Sequence, residues 1–354
     1  MNNRNTIVSV IMPVYQVEKY VEKAIRSILN QTFRDFEFLI VDDGTKDNSG
    51  AICDLLATED DRITVIHKHN EGAPVARNTA MNMAKGKYYY FMDSDDWVEP
   101  TMLEDMVRIA EENASELVIS GFYIDTYYND SEYLTTDYVH ESYVYRSQSE
   151  FRRKAYRLFD KNLLYSPWNK LWLRTYVDDH NIRFPKTFWD DFPFILEVIR
   201  DVERVAVTDQ QYYHFIRARA ESETAKYRPE MYDKREEEHQ WMIDLYKHWN
   251  VSNHASMEMI HRRYIERLIG CLENVTNPNS SLTKIEQKKL MADMLSKPHV
   301  KESLSIMRPK SMMMKIMLIP IRLHSIGLTY LMCKYISTVK IKNVERFARL
   351  KASR

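Results

Sequence analysis

Four short runs of apolar, β-branched or aromatic residues mark the first hundred positions: residues 7–12, 36–41, 63–67 and 88–92. Each is too short for a helix, and three of them stop at a proline or at clustered acids, so they read as strands. Between them lie segments with helical spacing. Tyr20, Ala24, Ile28 and Leu29 share one face; Ile52, Leu55 and Leu56 share another; Pro74 to Ala84 follows the third strand. Strand and helix alternate about every 25 residues, the signature of βαβ units and a parallel sheet. Ligands bind such sheets beyond the carboxyl ends of the strands. Pro13-Val14-Tyr15, Asp42-Asp43 and Asp93-Ser94-Asp95 each follow a strand, so three clusters converge on one edge.

The last of these ends in three carboxylates, Asp93, Asp95 and Asp96. Packed like charges repel unless a cation sits between them. Oxygen ligands with few other donors suit Mg²⁺ or Mn²⁺, which carry phosphate oxygens on their remaining positions. The run therefore points to a metal-bridged diphosphate. Taken singly, such acids are also ordinary turns and caps. Asp96 reads as a cap for a helix through Trp97 and residues 100–112, and Asp47-Asn48-Ser49 as another cap.

Five segments in order carry a family resemblance: Val8 to Tyr15, Gln31-Thr-Phe33, Val41 to Ser49, Gly72 through Ala76-Arg-Asn78, and Phe91 to Asp96. Together they resemble the nucleotide-binding half of the family 2 glycosyltransferases, closely over residues 6–125 and more loosely to about residue 225. The resemblance implies a GT-A-type mixed α/β sheet flanked by helices, and an enzyme that inverts configuration at the transferred sugar carbon. It implies that Pro13, Val14 and Tyr15 line the base and ribose pocket, and that Asp42 accepts from the base. Asn70 and Arg77 then lie near the base and diphosphate, Ser94 at the ribose, Asp93 at the ribose or a metal-bound water, and Asp95, with Asp93, on the cation. Those residue types fit: a carboxylate accepts a base N–H and a guanidinium neutralises phosphate.

An inverting transfer needs a base near the acceptor hydroxyl. The family places it in an acidic pair that opens a helix, which here matches Asp190-Asp191 after the aromatic segment from Phe184; the family more often shows Glu-Asp. Asp191 is the expected base, with Asp190 on the sugar or acceptor. The plainer reading makes Asp191 a cap for a helix over residues 193–200. Trp168 and Trp172, four apart, read as core. His214 departs from the family's Tyr-Tyr-Arg-like pattern and is a further candidate for the metal shell, although a lone histidine on a strand is more often structural. Residues 123–145, rich in tyrosine and acids, read as an exposed hairpin or loop.

Composition narrows the class. The 44% hydrophobic content suits a folded core, and three scattered cysteines give neither a disulfide framework nor a zinc spacing. Seven glycines in all argue against a glycine-rich phosphate loop, and with it a nucleotidyltransferase. The first strand begins within about six residues with no signal peptide, which reads as cytoplasmic. Residues 229–249, 256–274 and 283–296 have amphipathic helical spacing. The expected domains are therefore 1–225 catalytic, 226–299 a helical appendage and 300–354 a basic amphipathic region.

The net charge of −1 hides an asymmetry: residues 300–354 hold twelve Lys or Arg against two Glu, about +10, which leaves about −11 elsewhere. Charged residues and Pro320 interrupt the apolar stretch 312–336, so it does not read as a membrane span. It reads as a basic amphipathic helix on the anionic inner face of a cell membrane, against the alternatives of a core-facing helix or a homo-oligomer interface. No nucleic-acid motif accompanies the charge. The expected partners are a UDP-linked hexose or N-acetylhexosamine donor and a surface polysaccharide, wall-polymer or lipid-linked acceptor. A catalytically silent nucleotide-sugar-binding scaffold is the alternative; it has no need of Asp95 or of the Asp190-Asp191 pair.

Overall fold

The computed structural model describes residues 6–127, 132–187, 189–217 and 227–342. β1 (Val8–Val14), α1 (Val21–Leu29), β2 (Phe36–Asp42), α2 (Ser49–Glu59), β3 (Ile63–His67), α3 (Ala73–Met81) and β4 (Tyr88–Phe91) alternate as the hydrophobic pattern predicts. After them come β5 (Trp97–Val98), α4 (Met102–Glu112), β6 (Leu117–Tyr127), β7 (Tyr133–Tyr138), β8 (Tyr143–Val144), α5 (Gln148–Asp160), β9 (Lys170–Leu173), α6 (Arg174–Asp179), α7 (Asp191–Asp201) and β10 (Val205–Arg217). They build one mixed sheet in the order β3-β2-β1-β4-β9-β6-β10-β5, with β7 on β6 and β8 on β10.

β1 pairs in parallel with β2 and β4, and β2 with β3, whereas β9 runs antiparallel to β4 and β6. Strands buried on both faces explain the continuous apolar runs: every residue of β1 and β4 is buried. The register sets Val14 beside Asp42 and Asp42 beside His67. β4 ends at Phe91 opposite Ile11, so one side of β1 loses its ladder from Met12 onward. That gap accommodates Pro13, which has no N–H to donate, and opens the edge on which the polar clusters converge.

Three local expectations are corrected. Leu55 is 61% exposed; Cys53 and Leu56 carry the buried face of α2 instead. Trp97 lies in a strand, His214 opposite it, and the helix starts only at Met102. Over residues 123–145 the hairpin reading holds, since β7 pairs with β6, but the segment is not exposed throughout: Tyr145 is core, edge-on to Phe151.

The chain divides into two compact units, Met1–Asp125 with Thr135–Ile216, and Thr126–Leu134 with Arg217–Arg354. Helices dominate the second: α8 (Met231–His248), α9 (His254–Val275), α10 (Lys284–Leu295), α11 (Pro298–Ile306), α12 (Met312–Arg322) and α13 (Ile326–Lys342). Polar caps begin several of them. Asn253 accepts from Ser256 N, Thr283 and Glu286 form a capping box, and Ser311 accepts from Met314 N. Leu268, Leu272, Met291, Val300, Met317, Leu318 and Cys333 share one core, so position 300 lies inside it. No described helix is long and apolar enough to cross a membrane.

Candidate active site

At the carboxyl end of β2, Asp42 and Asp43 do different work. Asp43 is 2% exposed and holds the loop between β3 and α3: its carboxylate accepts from Lys68 Nζ (2.8 Å), Glu71 N (3.0 Å) and Gly72 N (2.7 Å). Asp42 accepts from Thr45 N at 3.0 Å and contacts His67 Nδ1 at 2.8 Å. His67 Nε2 lies 2.9 Å from Asp54, and those two carboxylates raise the imidazole above its ordinary pKa. Gly44 adopts φ +72°, where a Cβ would stand 2.7 Å from Asn70 N; at Gly50 it would stand 2.9 Å from Asp42 Oδ2. Gly44 thus lets the backbone of residues 68–70 close on the end of β2, and Gly50 lets α2 approach the Asp42 carboxylate.

Tyr15 is 43% exposed and Asn70 is exposed beside this turn, as side chains facing a ligand require. Pro13 and Val14 are buried, so only their backbone is placed to meet one, and the Val14 carbonyl already accepts from Asp43 N.

The second centre gathers residues distant in sequence around Arg77, which is 5% exposed on α3. Its Nη2 donates to Asp93 Oδ1 at 2.7 Å and its Nη1 to Asp190 Oδ2 at 2.9 Å; Nη1 also lies 3.2 Å from Asp191 Oδ1. Its guanidinium carbon sits 5.0 Å from the centroid of the Phe184 ring. Arg77, expected beside a diphosphate, is thus the hub of three carboxylates.

Asn78, the next residue, fixes the loop that carries the acidic pair. Its Nδ2 donates to Phe184 O (2.8 Å) and its Oδ1 accepts from Phe184 N (3.0 Å). Phe184 in turn stacks on Phe194 of α7 at 3.8 Å. Asp190 and Asp191 open α7, and the Asp190 N-cap side chain makes no capping bond. The capping expectation for Asp191 is set aside on the same geometry, because its Oδ1 lies against Arg77. We expect Asn78→Ala to lower turnover up to about 100-fold, since small misplacements of reacting groups cost that much. UDP affinity should hardly change; steady-state kinetics beside a UDP titration separate the two.

One guanidinium among three carboxylates leaves the centre net negative. Burial, opposed by Arg77 and reinforced by Asp190 and Asp93, pushes the Asp191 carboxyl up to about 7. Burial raises Asp190 as well. Asp191 Oδ1 is buried and accepts no hydrogen bond from any described residue; its 3.2 Å contact with Arg77 is a charge contact without hydrogen-bond alignment. The side chain as a whole is 31% exposed, which leaves Oδ2 as its open oxygen. Lys170, fully buried, donates to Ser166 O (2.7 Å) and Asn169 Oδ1 (2.6 Å). Burial drives its ammonium well below the ordinary range, while Asp191 pulls it up.

Asp95 follows β4 and is exposed. Burial and the charge of Asp93 push its carboxyl up to about 6, and no described cation pairs with it. A carboxylate that repels its neighbour and has no counter-charge fits one protein ligand of a divalent ion. Among the described residues no three His, Cys, Asp or Glu side chains converge on a metal position, so the chain builds no closed cage. Phosphate oxygens of a ligand would have to complete the shell.

Asp96 neither caps a helix nor faces Asp95's solvent. It is 1% exposed and accepts from Tyr213 Oη (2.6 Å) and Ile216 N (2.7 Å), pinning β10 to the end of β4. Ser94 is 7% exposed. His214 uses both ring nitrogens, on Asp125 (2.9 Å) and Glu99 (3.1 Å), and stacks on Trp97 at 3.6 Å, a structural arrangement. Trp168 and Trp172 are core, as read. The sequence pattern assigns no role to His67, Asn78 or Tyr213. Nothing in the spacing of Asn78 or Tyr213 announces a bond across the chain.

The model of the family described as glycosyl transferase family 2 matches residues 9–180. The uncharacterized glycosyltransferase EpsJ of Bacillus subtilis (strain 168) is 31% identical over 248 residues, 70% of this chain and 71% of EpsJ. Glycosyltransferase GlyG of Streptococcus pneumoniae serotype 4 is 39% identical over 118 residues, 33% of this chain and 39% of GlyG. A crystal structure of S. aureus TarS in complex with UDP-GlcNAc aligns with a TM-score of 0.65 over 93% of this chain and 90% of that one; at 18% identity, the likeness is one of fold. The strand-end clusters, the mixed sheet and these relatives agree: the chain belongs to glycosyl transferase family 2 and is a glycosyltransferase.

Proposed function

We propose that the enzyme is metal-dependent and inverting, and moves a hexose or N-acetylhexosamine from a UDP-sugar to a surface-polysaccharide, wall-polymer or lipid-linked acceptor. The observation that carries this reading is the Arg77 hub. It holds a carboxylate of raised pKa, Asp191, on the same centre as Asp93, which follows β4 two residues before Asp95. Asp191 Oδ2 takes the proton of the acceptor hydroxyl. The acceptor oxygen then bonds to the anomeric carbon as the bond to the diphosphate breaks, and the nucleoside diphosphate leaves with that electron pair. Asp190 orients the sugar or acceptor, while Asp42, Tyr15, Asn70 and the backbone of Pro13 and Val14 hold the nucleoside. Mn²⁺ or Mg²⁺ on Asp95, with Asp93 beside it, would supply Lewis-acid stabilisation of the departing charge. Peripheral contact with the inner face of the cell membrane belongs to the same reading.

Thermal shift with UDP, GDP and their sugars, each with Mn²⁺ or with EDTA, tests the donor. The TarS complexes with UDP-GlcNAc and UDP put those two ligands first. Stabilisation by UDP only with the metal is the expected result, about 2.7 kcal/mol at a hundred-fold excess over Kd. No response to any nucleotide would favour the silent scaffold.

Asp95→Asn should abolish the metal-dependent part while raising the melting temperature of the free protein. The sign follows from the folded pKa of about 6 lying above the unfolded value of about 4. The group's contribution is fully present below pH 4 and lost as pH rises through 6, so its ionisation opposes folding at neutrality. Solvent screening at this exposed position limits the gain to on the order of 1 kcal/mol, about 2 °C. A variant that keeps metal-dependent UDP stabilisation would remove Asp95 from the cation site.

A further inference from the structure

α12 and α13 are apolar on two sides. One side joins the core of the helical unit through Met314, Met317, Leu318, Ile321, Tyr330 and Cys333. The other is open. On α12, Met312 (70% exposed), Ile316 (48%), Ile319 (57%) and the C-capping Leu323 (68%) form a stripe at four-, three- and four-residue steps. On α13, Leu328 (51%), Leu331 (60%) and Tyr335 (70%) form a second. Large apolar side chains exposed in series mark an interaction surface rather than scattered surface residues.

The surroundings identify its partner. Lys315, Arg322 and Lys334 are exposed on the same two helices, and the sequence holds no Asp or Glu from residue 303 to residue 344, against Arg308, Lys310, Lys315, Arg322, Lys334, Lys340 and Lys342. A like-charged second copy would bring these cations together, whereas an anionic lipid surface neutralises them. Over the described residues neither helix is long and apolar enough to span a bilayer. Apolar stripes flanked by Lys and Arg on such helices suit insertion in the headgroup plane.

We infer that α12 and α13 form a peripheral docking face for an anionic bilayer, through Met312, Ile316, Ile319, Leu323, Leu328 and Leu331 with Lys315, Arg322 and Lys334 beside them. The inference deepens the proposed membrane-side function but stands on the second unit alone. Flotation of the full chain with vesicles of phosphatidylcholine, alone or mixed equally with phosphatidylglycerol, tests it. Binding is expected on the mixed vesicles, weak on phosphatidylcholine alone, and falling with salt.

The exposed triple variant K315Q/R322Q/K334Q should lose about 100-fold in partitioning, since each basic residue near such a surface contributes about five-fold. Ile319→Glu with Leu331→Glu should abolish binding. UDP thermal shift on the same samples should be unchanged, which separates this test from the donor reading. No flotation on the anionic vesicles overturns the inference. So does flotation insensitive to all five substitutions, or a concentration-dependent oligomer that the Glu variants dissolve while vesicles stay unbound.

Discussion

Replacing Asp191 with Asn is expected to lower kcat/KM by 10²- to 10⁴-fold, the usual range for losing a general base, while leaving UDP affinity and the fold intact. The wild-type profile should rise with pH through about 7, because the base must be ionised to accept the acceptor proton. That value comes first from burial; Asp190 and Asp93 push it further up, and Arg77 and Lys170 hold it down. A carboxyl poised near the working pH combines a useful ionised fraction with real basicity. The Asn variant should lose this limb altogether. If Asp191→Asn retained full turnover with the same profile, the base would have to be sought elsewhere, with Asp190 the first candidate.

What could be read in advance divides along physical lines. The β1 to β4 half was legible because a parallel sheet buried on both faces writes itself as continuous apolar runs, and strand ends write themselves as acids. Asp42, Asp93 and Asp95 were named for that reason. The Arg77 hub was only half legible. Its members were all chosen, but from family resemblance, because no local pattern reports that residue 77 meets residue 190. The same holds for Asp96, whose place just before a helical run suggested a cap although its partners are Tyr213 and Ile216. In the C-terminal region the choice between core and open surface was false: α12 has both, one apolar face packed and one exposed. Hydrophobicity along a helix does not say which of two apolar faces finds a neighbour.

Arg77→Met carries the largest expected cost to the fold. The guanidinium is the one cation that directly contacts Asp93, Asp190 and Asp191 among the described residues, and it is nearly sealed from water. Removing one partner of a buried ion pair leaves uncompensated charge and typically costs about 3–5 kcal/mol. Here three carboxylates lose their shared partner at once. With the cation gone, Asp190 and Asp191 are driven further up by burial and by their neighbours, and a carboxyl whose folded pKa lies above its unfolded one contributes stability that is lost as pH rises through the folded value. The deficit relative to wild type should therefore be largest near pH 8 and shrink toward pH 5, where protons neutralise the cluster. Arg77→Lys should fall between, because one ammonium cannot reproduce a fork that reaches three acids. Urea unfolding of all three proteins at pH 5 and pH 8 measures this directly. Equal midpoints for wild type and Arg77→Met at pH 8 would show that the hub does not hold the acidic pair in place, and would remove the support for Asp191 as the base.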